Sequence, residues 1–238
     1  NALRSTEIWK IFNDRFGSSA EARVVKVLAT QSASISVTQD MLAALNDPTV
    51  NTNLLFADAL AIAPYFGHNY TTAELPPNVA NYPASDDIAG VISIAAISNT
   101  VSAIAAQKAI ADNQGMRLIC YEGGQHFVGL FAAQSDDTLT AILADANRNP
   151  KMYLRYTEYL DMLQDAGVEL FVNFSLSGAW SRSGSWGTLE SMDQPLEDAV
   201  KYMAIKDWMA ENLHGENLLK ISSFTSSAQK QGLAWRSK

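Results

Sequence analysis

The chain has one cysteine and three histidines in 238 residues, and each shortage removes a class of function. A lone Cys120 excludes an internal disulfide framework, and its place in the apolar run Met116-Arg117-Leu118-Ile119-Cys120 makes it a small core residue rather than a thiol nucleophile. His68 and His126 could be assembled with Glu122 around a metal, but no ligand pair has the i, i+4 helical spacing, so neither metal nor cofactor is expected. Basic residues are scarce too, 17 Lys and Arg against 25 Asp and Glu, for a formal net charge of −8. They form no stripe, which argues against a nucleic-acid footprint and for a neutral partner. The longest apolar stretch, Ile88 to Ala111, is broken by Ser93, Ser98, Asn99, Thr100, Ser102, Gln107 and Lys108, so it reads as a buried helix or helix pair and not as a membrane span. The sequence opens at Asn1 with no signal-peptide pattern and no initiator methionine, and an upstream segment is expected to have been removed.

A hydrophobic content of 47% is enough to bury a sizeable core, and residues 1–238 are read as one domain of α/β class. A helix opens the chain, with Ile8, Trp9, Ile11, Phe12 and Phe16 on a 3.6-residue repeat and Gly17 as its stop. Four strand-to-helix units are then expected. The strands are Arg23 to Thr30, Ala57 to Tyr65, Arg117 to Glu122, and Val168 to Ser175, rich in β-branched or apolar residues. The intervening helices are Thr38 to Leu45, Ile88 to Asn113, Thr138 to Asn147 with Pro150 to Asp165, and a last one from Gln194 or Pro195 to about Asn212. Phe66 to Asp87, with Pro76, Pro77 and Pro83, reads as a long functional loop, and residues 214–238 as a polar terminal tail.

Successive right-handed units of this kind make adjacent parallel strands covered by helices. A TIM (β/α)₈ barrel needs eight such units in ~250 residues, so the expectation is that this chain supplies half a barrel, strands five to eight. An open four-stranded sheet leaves two edges, so a complementary N-terminal half-barrel chain or a second copy is expected as partner.

In that register the strand C-termini converge on one rim. They present Gln31 and Ser32, Tyr65 with His68 beyond it, Glu122 with Gln125 and His126, and Asn173 and Ser175 with Trp180 and Trp186 in the following loop. One carboxylate, a phenol, imidazoles, amides and indoles suit a carbohydrate cleft, in which rings stack on pyranose faces and polar groups bond the hydroxyls. Glu122, followed by Gly123-Gly124, reads as a nucleophile with backbone freedom and ligand space beside it. Glu122 also admits a plain reading as a buried structural carboxylate held by backbone donors.

Four strings, Ala57 to Gly67, Tyr121-Glu122-Gly123-Gly124-Gln125-His126, Ser175 to Trp180 and Gly184 to Glu190, resemble the second half of retaining glycoside hydrolases of the large (β/α)₈ clan. In that clan the acid/base follows strand four and the nucleophile ends strand seven, and secreted bacterial polysaccharide-degrading members look most similar. The resemblance implies Glu122 as nucleophile, Tyr65 as its hydrogen-bond donor, Trp180 as a subsite wall, and an acid/base glutamate lying before Asn1. Retaining hydrolysis needs two carboxyl groups ~5 Å apart. Glu74, Glu190, Asp58, Asp86-Asp87 and Asp136-Asp137 read as loop, surface or helix-start acids. Two rival classes stay open: a non-catalytic carbohydrate-binding or assembly module, and a sugar-phosphate isomerase or aldolase binding phosphate at the glycine loops.

Overall fold

Three of the apolar runs lie side by side in the computed structural model, which describes residues 1–212. Strand β1 (Val27–Ala29) pairs in parallel with β2 (Ala59–Ile62), and β2 with β4 (Arg117–Cys120), the sheet order being β1-β2-β4. Leu28, Leu60 and Leu118 stand in register across it and none has exposed surface. They join one hydrophobic cluster that runs from Ala2 to Ala204. On the other face Ala59 and Ala61 are also buried, but Ala29 is exposed and Arg117 and Ile119 only half-buried, so that face is covered in its middle and open at its sides.

The helices follow their sequence signals closely. They are α1 (Ala2–Phe16), the one-turn α2 (Ala20–Arg23), α3 (Ile35–Asn46), the short α4 (Ser85–Asp87), α5 (Ser93–Asn113), α6 (Asp137–Arg148), α7 (Lys151–Asp165) and α8 (Val200–Asn212). Between α4 and α5 the chain makes a π-turn over Ile88–Ile92, where Gly90 leaves helical geometry. On α1 only Ala2, Thr6 and Trp9 are buried, while Ile11 and Phe12 stand 62% and 49% exposed, so the expected apolar stripe of this helix is only partly used. The Val79–Asn113 stretch passes a length-and-composition test for a membrane span, with a mean hydropathy of 1.8 in its most apolar window. That stretch is broken by the Gly90 kink, and α5 packs on β4 and α7.

Beyond the first sheet the chain does something the sequence reading treats as loop. Strands β3 (Phe66–Tyr70) and β5 (Gln125–Gly129) form a second, two-stranded parallel sheet, with Phe66 opposite Gln125 and Gly67 opposite His126. Gly67 has a φ of 156°, and a Cβ there would overlap the His126 carbonyl, so only glycine lets the strands approach.

The half-barrel expectation is overturned. The described residues are 54% helical with short parallel sheets of three and two strands, and no barrel is formed. Its fourth strand, 168–175, makes a single bridge from Phe171 to Cys120. Past that bridge the backbone bonds turn away from the ladder, Phe174 N–H to the Gly123 carbonyl at 2.8 Å and Ser175 N–H to the Trp186 carbonyl at 3.3 Å. The tail expected over 214–238, with His214 and Trp235, lies outside the described residues.

Candidate functional site

Strands β2 and β4 end on the same edge, and each is followed by a short gap before its second-sheet strand: Ala63-Pro64-Tyr65 after β2, Tyr121-Glu122-Gly123-Gly124 after β4. These two gaps put Tyr65 next to Glu122, with the phenol close to the carboxylate. Burial first, then the neighbouring Glu122 carboxylate, push the Tyr65 hydroxyl well above the ordinary phenol range. Tyr121, exposed beside them, is also raised, by burial first and by Glu122 second.

Both gaps rest on tyrosines of α7. The Tyr159 hydroxyl donates to the Pro64 carbonyl at 2.7 Å and lies against Gly123, so one oxygen touches both gaps. Tyr156 hydroxyl accepts from the Gln125 N–H at 3.2 Å. The glycines leave room for protein rather than ligand. A Cβ on Gly123 would meet Phe171 Cε2 and the Tyr159 hydroxyl, both at 2.8 Å. One on Gly124, whose φ is 130°, would meet Asn173 Oδ1 at 2.9 Å and the Tyr156 hydroxyl at 3.1 Å.

From Tyr65 a row of rings extends away from the carboxylate. Tyr65 meets His126 edge-on with centroids 5.5 Å apart, His126 lies 5.7 Å from Trp186, and Phe174 stands 6.4 Å beyond. The Trp186 indole N–H points at His126 Nδ1 across 3.4 Å, a long contact. A ring nitrogen that accepts leaves the proton on Nε2, and burial holds the His126 imidazole below its ordinary pKa, so the ring is neutral at pH 7. A carboxylate beside a phenol, followed by neutral aromatic faces, is chemically equipped either to attack an electrophilic carbon held on those faces or to bind a polyhydroxylated ligand without chemistry.

The other residues singled out by sequence fall into different settings. The Gln31 side chain is exposed at the end of β1, where its carbonyl accepts at 2.9 Å from the fully buried Gln107, which in turn accepts from Thr38 at 3.0 Å. His68 is exposed on β3 and faces Glu74 Oε1 at 3.5 Å and the Tyr70 ring. Gln125 is buried with both amide ends engaged, Nε2 donating to the Ser185 carbonyl at 2.7 Å and Oε1 accepting from Phe127 N–H at 3.0 Å. Trp180 donates to the Gly187 carbonyl at 3.1 Å, and its ring lies under Lys201 Nζ at 4.5 Å and the Arg148 guanidinium at 5.4 Å. Asn173 lines a cavity of about 370 Å³ with Leu176, Thr188, Tyr202, Ile205 and Met209, and both its amide atoms are buried without a protein partner. Tyr65, Glu122, His126 and Trp186 are therefore brought together by direct contacts, while Gln31, His68, Gln125, Asn173 and Trp180 make their contacts elsewhere.

Sequence reasoning passed over Tyr121 and Phe174, both 43% exposed. An aromatic flanking a candidate carboxylate and another flanking Asn173 were the available signal. It also passed over Gln107 and Lys201, whose burial has no signature in the local pattern. Of the seven acids weighed as partners for Glu122, six have another engagement. Asp58 pairs with Lys26 at 2.9 Å, Glu74 accepts from Thr71, Asp86 pairs with Lys151, Asp136 caps α6, Asp137 faces Arg182 at 3.7 Å, and Glu190 pairs with Arg148. Among the described residues no group of three or more His, Cys, Asp or Glu could hold a metal ion. Compared with protein-family models, curated proteins and solved structures, the chain matches none.

Proposed function

We propose that this chain carries the nucleophile of a retaining glycoside hydrolase acting on a polysaccharide or oligosaccharide, with Glu122 as that nucleophile. The observation that supports it is the placement of Tyr65 beside Glu122 at the shared edge of β2 and β4, at the head of the row His126, Trp186, Phe174. In such a reaction a Glu122 oxygen bonds the anomeric carbon as the glycosidic C–O bond breaks. The leaving oxygen takes a proton from a second carboxylic acid, and water then cleaves the glycosyl ester. Tyr65 holds the carboxylate in one orientation, and the neutral rings offer stacking faces to the sugar.

The second carboxyl group is proposed to come from polypeptide outside the described residues, on a complementary chain or a second copy. What supports this is the alternative pairing of the acids above and the open sides of the β1-β2-β4 sheet at Ala29 and Ile119, since parallel sheets are ordinarily covered on both faces. A secreted setting suits a polymeric substrate. Because six of the seven acids that could partner Glu122 pair elsewhere among the described residues, a second reading, a carbohydrate-binding module without turnover, competes with the first.

A panel of activated 2-fluoroglycosides separates them. Hydrolysis predicts a glycosyl ester on the Glu122 peptide by mass spectrometry, absent in Glu122→Gln. Oligosaccharide binding with no adduct from any sugar in the panel and no turnover would leave the binding module.

A further inference from the structure

We infer that Lys201 is a positioning residue that holds Trp186 against His126, beside Glu122, without itself reaching a ligand. This rests on the reading of Tyr65, Glu122, His126 and Trp186 as one site. Lys201 lies on α8 with no exposed surface. A buried ammonium is costly unless each of its protons has a destination. Here Nζ donates to Asn147 Oδ1 at 2.8 Å and to the Ser185 carbonyl at 2.5 Å, and it stands 4.5 Å over the Trp180 ring. Asn147 is itself buried and anchored to the Leu143 carbonyl of α6 at 2.9 Å, so the amine is braced from the protein interior.

The Ser185 carbonyl also accepts from Gln125 Nε2 at 2.7 Å, which fills both of its lone pairs. Ser185 immediately precedes Trp186, whose indole points at His126. Two buried donors, one on α8 and one on β5, thus fix the backbone from which Trp186 projects. An apolar residue at 201 would leave the Asn147 oxygen without its donor and Ser185 with one donor only. The charged groups around the amine are Glu190, at the end of the same loop, and Arg148 of α6. They pair with each other at 2.5 Å, and Glu190 partly offsets the burial that lowers the Lys201 pKa.

The test is the Lys201→Met variant of the full chain, followed by two signals that a general role in folding would not move once the variant is shown folded by circular dichroism. These are the His126 titration by NMR and the exchange rate of the Trp186 indole proton, assigned with Trp186→Phe. The expected result is a His126 midpoint moved up toward about 6.5, and indole exchange at least about tenfold faster. Lys201→Gln, whose amide retains N–H donors, should recover part of both shifts, and it serves alone if the methionine variant does not fold. Folded variants with both signals unchanged would overturn the assignment. Neither signal requires hydrolysis, and Glu122→Gln should leave both as they are, so loss of the enzymatic reading and loss of this one are told apart.

Discussion

The two gaps between the sheets solve one problem with different chemistry. After β2 the chain crosses in three residues, Ala63-Pro64-Tyr65, and after β4 in four, Tyr121-Glu122-Gly123-Gly124. The first is stiffened by a proline whose missing N–H costs nothing there and whose carbonyl is held by Tyr159. The second uses glycines so that Phe171, Asn173, Tyr156 and Tyr159 can press against its backbone. The extra residue is absorbed without disturbing the pairing, since Phe66 still meets Gln125. The contrast separates duties: the proline-bearing gap supplies a rigid donor in Tyr65, and the glycine-bearing gap a carboxylate on backbone clamped from below.

That contrast can be broken at graded cost. Glu122→Gln should lower turnover at least about a thousandfold while the unfolding midpoint in urea stays within experimental scatter; retained activity would remove the carboxylate from the reaction. Gly67→Ala should destabilise by about 3 kcal/mol in urea unfolding, because its Cβ overlaps the backbone of the paired strand. Tyr65→Phe should cost about a hundredfold in kcat with little change in KM, steady-state kinetics separating an orienting role from a binding one. Tyr159→Phe should cost about 2 kcal/mol, since it strips the buried Pro64 carbonyl of its donor.

The smallest effect concerns pH. His126 has a lowered pKa in the folded chain, so below about 6.5 the unfolded state binds the proton first and stability falls as pH falls through the window just under that value. Above it both states are neutral and the contribution is complete. His126→Gln should flatten that part of the stability profile, read from unfolding curves between pH 5 and 7.

Much of the first sheet was legible because it obeys simple rules. Short apolar runs bounded by turn residues gave Val27–Ala29, Ala59–Ile62 and Arg117–Cys120, and glycines marked the ends of α1, α5 and α7 at Gly17, Gly115 and Gly167. The second sheet was not legible. Phe66-Gly67-His68-Asn69-Tyr70 is too polar to read as a strand, and it pairs only because Gly67 lets it approach a partner 59 positions away, Phe66 to Gln125. The expected strand Val168 to Ser175 holds only in its first half: Glu169 and Val172 donate to the Leu118 and Cys120 carbonyls of β4, while the donors of Phe174 and Ser175 find loop carbonyls instead. In the site, Tyr65, Glu122, His126 and Trp186 were expected with Gln31, His68, Gln125, Asn173 and Trp180 on one barrel rim; no barrel forms, and only the first four stand together. The inward engagement of Gln125 and Trp180 was not expected, because it depends on Ser185, Lys201 and Arg148 arriving from later in the chain.

The Gln107 network at the end of β1 has a practical corollary. Gln107 donates to the carbonyls of Gln31 and Ser32, at 2.9 and 3.2 Å, and its own amide oxygen accepts a hydrogen bond from the Thr38 hydroxyl. The turn is thereby set by main-chain atoms that every amino acid possesses. The Gln31 side chain, exposed at the end of β1, carries none of that turn's hydrogen bonds among the described residues and becomes the natural position for a saturation library, which should leave the architecture underneath indifferent to the choice.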